Sequence, residues 1–239
     1  MVNQEILVLA GTAAAIGFVH TVLGPDHYLP FIVISRARKW PLSKTLIISF
    51  FCGLGHVLSS VVLGFLGIAL RIALSRLKAF ESFRGGLAAW LLIGFGLAYF
   101  VWGVHLAIKK KPHRHPHFHP DGSQHDHLHA HQAEHAHIHI EPKKKTNITP
   151  WVLFIIFVFG PCEPLIPLVM YPGMKHSLSG VILVTTAFGL ITILTMLVII
   201  GVASFGISFI SLGRLERYAH ALAGAMIFVS GLSVIVIGL

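Results

Sequence analysis

The chain has 239 residues, 55% of them hydrophobic and only 11% charged, with a mean hydropathy of +0.79. This composition excludes an ordinary soluble domain and points to a membrane protein. Lys and Arg number 18 against 9 Asp and Glu, a formal net charge of +9, and there are 17 histidines. Whether so basic and His-rich a chain addresses nucleic acid or an acidic surface depends on where those residues lie. Cys52 and Cys162 both fall in apolar stretches, which excludes a disulfide scaffold and leaves the redox compartment open.

A helix needs about 20 mainly apolar residues to cross the hydrocarbon layer. On that ruler the sequence predicts six spans, at 5–35, 44–70, 87–108, 149–172, 179–205 and 219–239. The first is too long for one straight crossing, and Gly24-Pro25 near its middle predicts a kink or two half-helices. The start, Met-Val-Asn-Gln-Glu, has no basic stretch ahead of the apolar run, so no cleaved signal is expected. Between the second and third spans, RIALSRLKAFESFR (71–84) alternates apolar and basic residues at near-helical spacing and is expected to lie along the outer interface, a polar loop being the alternative. The loops at 36–43, 109–148 and 206–218, with Lys44, hold 13 of the 18 basic residues, and none is expected inside a span. The excess of Lys and Arg in cytoplasmic loops then puts both termini outside and the long middle loop in the cytoplasm. The expected location is the cell membrane, the cytoplasmic membrane if the source is prokaryotic. The charge is an orientation signal, and no nucleic acid partner is expected.

The spans repeat. Span one carries Leu23-Gly24-Pro25-Asp26-His27 and span four Phe159-Gly160-Pro161-Cys162-Glu163, two Gly-Pro breaks each followed by metal-capable side chains. Gly53-Leu54 follows Gly24 at the same spacing at which Gly189-Leu190 follows Gly160, and Gly96–Gly103 shares a G-x-x-x-F-V-x-G frame with Gly224–Gly231. A repeat unit with an odd number of spans inserts its copies in opposite orientations. The expected fold is therefore all-α, a polytopic membrane protein of six transmembrane helices in a 3+3 inverted repeat. Its units are residues 1–108 and 149–239, joined by a cytoplasmic loop at 109–148. In such folds the substrate site sits near the midplane at corresponding broken helices, so Gly24, Pro25, Gly160 and Pro161 mark the expected place.

Ionisable groups within the spans are few: His20, Asp26, His27, His56, His105 and Glu163, with the thiols Cys52 and Cys162. A carboxylate in a bilayer is costly unless paired or solvated, which makes Asp26 and Glu163 functional candidates, helix capping being the alternative. His20 and His27 are seven apart, about 10.5 Å along an ideal helix, so one ion can join them only if the break at Gly24-Pro25 bends the chain. His56 in Cys52-Gly-Leu-Gly-His56 is the natural further ligand, and the repeat sets Asp26 opposite Cys162, His27 opposite Glu163 and His56 opposite Thr192. The expected metal ligands are thus His20, Asp26, His27, His56, Cys162 and Glu163. A buried thiol is equally at home as a small apolar residue. Imidazole suits Ni²⁺, Co²⁺, Zn²⁺ and Cu²⁺ rather than Mg²⁺ or Ca²⁺.

His20-Thr-Val-Leu-Gly-Pro-Asp26-His27 resembles the H-x4-D-H signature of the nickel/cobalt transporters and the related urease-accessory-type permeases, in which these residues of an early helix handle the metal. Gly-Leu-Gly-His56 and Gly-Pro-Cys162-Glu163-Pro are similar to segments of the same superfamily. Here the spacing is H-x5-D-H, one residue longer, which rotates His20 by about 100° on a regular helix. The resemblance covers the membrane repeats and implies Ni²⁺ or Co²⁺ as transported substrate, with Zn²⁺ as a further candidate, and no resident cofactor.

The middle loop carries His113, His115, His117, His119, His125, His127, His129, His131, His135, His137 and His139, largely as H-x-H alternations flanked by Lys109–Lys111 and Lys143–Lys145. With too little apolar content to fold and many redundant nitrogens, it is expected to be a disordered chelator, a solvated spacer being the alternative. The function expected is that of a metal-ion permease, not an enzyme. Its partners would be a transition-metal ion and the lipid bilayer, with a second copy of the chain or a metallochaperone as further candidates. Two rivals remain. A thiol-disulfide electron conduit of the cytochrome-biogenesis type would use a cysteine in each repeat, but Asp26 stands where Cys162 has its match. A sulfite or other anion exporter needs an intramembrane cation, although helix N-termini partly substitute. A membrane metalloprotease lacks H-E-x-x-H.

Overall fold

The computed structural model describes residues 4–109, 113–118, 124–129, 148–160, 162, 164–174, 178–209 and 213–237. Helix α1 (Gln4–Leu23) ends at a 3-10 turn, Pro25–His27, after which α2 (Leu29–Ala37) begins. The helical ladder closes with the Gly24 N–H on the His20 carbonyl, and Pro25 has no N–H to continue it. α3 (Leu42–Ala69) and α4 (Leu74–Lys109) follow, then α5 (Thr149–Phe159), α6 (Leu165–Met174), α7 (Leu178–Ser208), a 3-10 turn (Gly213–Tyr218) and α8 (Ala219–Ile237). Helices are thus interrupted after Leu23 and after Phe159. In the middle loop, β1 (His113–Phe118) pairs antiparallel with β2 (Gln124–His129), His113 opposite His129 and His117 opposite His125. The other loop histidines, His119, His131, His135, His137 and His139, lie outside the described residues, as do Pro161 and Glu163.

Every described element apart from that ribbon is helical. Among the described residues, five helical stretches are long and apolar enough to cross a membrane: Gln4–Leu23, Leu42–Ala69, Leu74–Lys109, Leu178–Ser208 and Leu215–Val236; Thr149–Phe159 is apolar but shorter. Their outer faces carry Phe18, Phe51, Trp90, Val198 and Val202, all more than half exposed, while Thr45, Ser49, Ser60 and Thr192 are buried. Large apolar groups outside and small or polar ones inside is the arrangement expected where lipid is the solvent. The short turns after α2 and α3 are built alike. Lys39 and Arg71 each adopt φ 53, and Trp40 N–H reaches the Ser35 carbonyl as Ile72 N–H reaches that of Gly67. These 6→1 bonds close each helix end and send the chain straight back.

One expectation is overturned here. Residues 74–84 do not form a separate interfacial segment; they are the first three turns of α4, a helix of 36 residues and about 54 Å. Gly85-Gly86 reads as a helix end in water, but Gly85 is buried and the helix runs through it, as glycine permits in membrane helices. Glu81 is 0% and Arg84 8% exposed, so a charged pair lies inside the bundle. α4 packs along α8 at glycines. A Cβ on Gly96 would strike the Phe228 backbone, and one on Gly224 the Phe100 backbone. Gly103 faces Ala221, and Gly231 faces Ile93, in the same way.

Candidate metal centre

The break after α1 turns the chain so that His27 folds back over Gly24. A Cβ there would sit 2.5 Å from His27 Nδ1, so only glycine leaves room for the ring. His27 Nδ1 lies 3.2 Å from both the Gly24 carbonyl and Asp26 Oδ1. Both neighbours are acceptors, which assigns the proton to Nδ1 and leaves Nε2 with a free lone pair. On α3, His56 Nδ1 likewise donates to the Phe157 carbonyl at 3.2 Å, near the end of α5. Its ring lies over Gly160, where a Cβ would come within 2.9 Å of Nδ1. The two break glycines thus floor two different imidazoles.

His20, on the last turn of α1, completes the group. Its ring centroid is 4.7 Å from that of His27 and 6.4 Å from that of His56, and His27 and His56 are 5.0 Å apart. One nitrogen from each ring lies within 4.8 Å of the others. The Nε2 atoms of all three are buried without a hydrogen-bond partner. Three imidazoles grouped this closely, each with a buried nitrogen lacking a partner, make an arrangement that a borderline cation would satisfy. A hollow of about 20 Å³ beside the cluster touches His27, His56, Asp26 and Gly160 but not His20.

Of the residues expected as ligands, the structure brings His20, His27 and His56 together. Asp26 is engaged with His27 Nδ1, the relation in which a carboxylate orients and strengthens a ligating histidine. Cys162 is fully buried in an apolar cluster with Leu165, Val169 and Phe188, and its N–H donates to Glu81 Oε2. Cys52 belongs to a different cluster, with Phe31, Phe157 and Met196, and both thiols are free. That separation weighs against a dithiol conduit. Sequence reasoning missed Glu81 and Arg84. The signal available was Glu81-x-x-Arg84, an i,i+3 pair in a stretch continuous in helical period with the span that follows. Arg84 removes the argument that an anion exporter lacks an inner cation, but Glu81 faces it in an ion pair, so the charge is already compensated.

Beyond α2, a cavity of about 890 Å³ opens among α2, α3, α7 and α8, lined by Ser35, Arg36, Lys39, Thr45, Glu216 and Arg217 among others. Lys39 Nζ meets Glu216 Oε1 across its rim at 3.0 Å. Ile32 is on its wall, and the adjacent Phe31 packs on Phe157 at 4.8 Å. Phe157 in turn stands 6.5 Å from His27, so an apolar layer joins vestibule to histidines. Searches against protein-family models, characterised proteins and solved structures find no match to this chain.

Proposed function

We propose that this chain is a membrane permease for a divalent transition-metal ion, Ni²⁺ or Co²⁺ before Zn²⁺, held by His20, His27 and His56. The observation that carries the reading is the grouping of three imidazoles with one nitrogen of each within 4.8 Å of the others, their Nε2 atoms all buried without a hydrogen-bond partner. Nitrogen-only coordination disfavours Mg²⁺ and Ca²⁺ and favours late first-row metals, and the resemblance to nickel/cobalt transporters narrows the class. The six spans form a 3+3 inverted repeat. Supporting this, Gly96 meets Phe228 as Gly224 meets Phe100, and Gly103 meets Ala221 as Gly231 meets Ile93, a reciprocity that a pseudo-two-fold axis generates. α1 packs on α7 as α5 and α6 pack on α3. Transport proceeds by alternating exposure of the histidine centre, with the apolar layer around Phe31 and Phe157 closing the path to the vestibule between cycles.

The reading is tested by uptake into vesicles with Ni²⁺, Co²⁺, Zn²⁺ and Mn²⁺ in competition. His27→Ala should abolish transport, and Asp26→Asn should weaken it by about 10- to 100-fold, the usual effect of removing a ligand's outer partner. Mn²⁺ should compete least. Unchanged transport in both variants sinks the histidine centre.

A further inference from the structure

The buried pair on α4 has no part in the histidine cluster, yet its hydrogen bonds lead to it. A helix broken at Gly160 leaves carbonyls at the end of α5 and N–H groups at the start of α6 without their usual partners. Arg84 Nη2 donates to the Val158 carbonyl at 2.7 Å and reaches the Gly160 carbonyl at 3.5 Å. Glu81 Oε2 accepts from the Cys162 N–H at 3.3 Å. Cation at the carbonyl end and anion at the N–H end is the polarity that the two half-helix dipoles favour. The same two side chains hold α3 one turn beyond His56. Ser60 Oγ donates to Glu81 Oε1 at 3.2 Å, Arg84 Nη2 donates to Ser59 Oγ at 2.8 Å, and Ser59 Oγ donates to the His56 carbonyl at 2.8 Å. His56 is therefore gripped from its backbone through Ser59 and from its ring through Phe157, whose carbonyl lies one residue before the Val158 that Arg84 holds.

We propose that Glu81 and Arg84 are a positioning pair that substitutes for the missing helical bonds at the second break and fixes the direction in which His56 presents Nε2. This rests on the three-histidine reading. A buried ion pair is a poor means of gaining stability, since apolar side chains of similar volume do as well or better, whereas it fixes geometry through several directed bonds at once. The two breaks are held differently. At the first, His27 itself donates back to Gly24; at the second, α4 supplies both charges.

The test uses the full-length protein in nanodiscs, titrated with Co²⁺ and then treated with EDTA to strip the histidine loop; retained Co²⁺ is counted and its visible spectrum, which reports coordination geometry, is recorded. The wild type should retain Co²⁺ and His56→Ala should lose it. Arg84→Lys, which keeps the charge but not the forked donors, should retain Co²⁺ with about tenfold weaker affinity and an altered spectrum. Ser59→Ala strands no charge and should shift affinity about threefold in the same direction, less than a full loss of an outer partner; it decides the matter alone if Arg84→Lys does not fold. Wild-type affinity and spectrum in the folded Arg84 and Ser59 variants, with His56→Ala empty, overturn the positioning pair and leave the centre standing. Retention in His56→Ala overturns the centre itself.

Discussion

The protons on His27 and His56 sit on Nδ1, each facing an oxygen, and this decides what the centre can do. Nε2 is then a buried lone-pair donor, and a second proton can enter only where the metal would bind. Metal and proton would compete for the same atom, so transport should weaken on acidification. The sign is fixed: neutral imidazole binds and imidazolium does not. Uptake that does not fall on acidification contradicts histidine ligation. His27 and His56 were legible in the sequence because an ionisable residue in an apolar run is conspicuous. The role of Asp26 was not, since ligand and outer partner share one residue type. Only the backbone turn at Pro25–His27 separates the two roles, by laying the imidazole beside the carboxylate. His20, seven residues before His27, joins the cluster because the helix ends at Leu23 and the rotation of a regular helix no longer applies.

At the scale of elements, the crossing of α4 and α8 is made of backbone against backbone. Neighbouring side chains can move aside for an added methyl, but peptide groups cannot. Gly224→Ala should therefore cost about 1–3 kcal/mol, the range of core overpacking, read as a lower melting temperature in detergent. Ala at Gly94, where no atom lies within 4 Å of the Cβ position, is the neutral control; equal melting of the two variants would mean that the helices do not meet at Gly224. The shared glycine frame of 96–103 and 224–231 was legible as a mark of the repeat, but not that the two frames pack on each other, which small residues permit by letting helices approach closely. The true length of α4 was hidden. Arg76, Lys78, Glu81 and Arg84 look alike in sequence, and whether a charge faces water or protein depends on neighbours that periodicity does not name: Arg76 and Lys78 are exposed, Glu81 and Arg84 are not.

For the whole molecule, the excess of basic residues predicts a cytoplasmic middle loop, and the short turns put residues 43 and 75 at opposite ends of α3. A cysteine at Ser43 should react with a membrane-impermeant maleimide only after permeabilisation, and one at Ser75 in intact cells. The native thiols, at 1% and 0% exposure, give no background. The reverse pattern inverts the orientation. The meshing of α4 with α8 has a mechanical consequence. Two helices that touch peptide to peptide resist sliding and work as a single strut, and α4 extends that strut through Glu81 and Arg84 to the junction of α5 and α6. On the permease proposal, movement would then bend the chain where its helices are already interrupted, after Leu23 and after Phe159. His27 lies on the first of these joints and the ring of His56 bonds the Phe157 carbonyl just ahead of the second, so on the permease proposal a small change in coordination at the histidines would act on both bends.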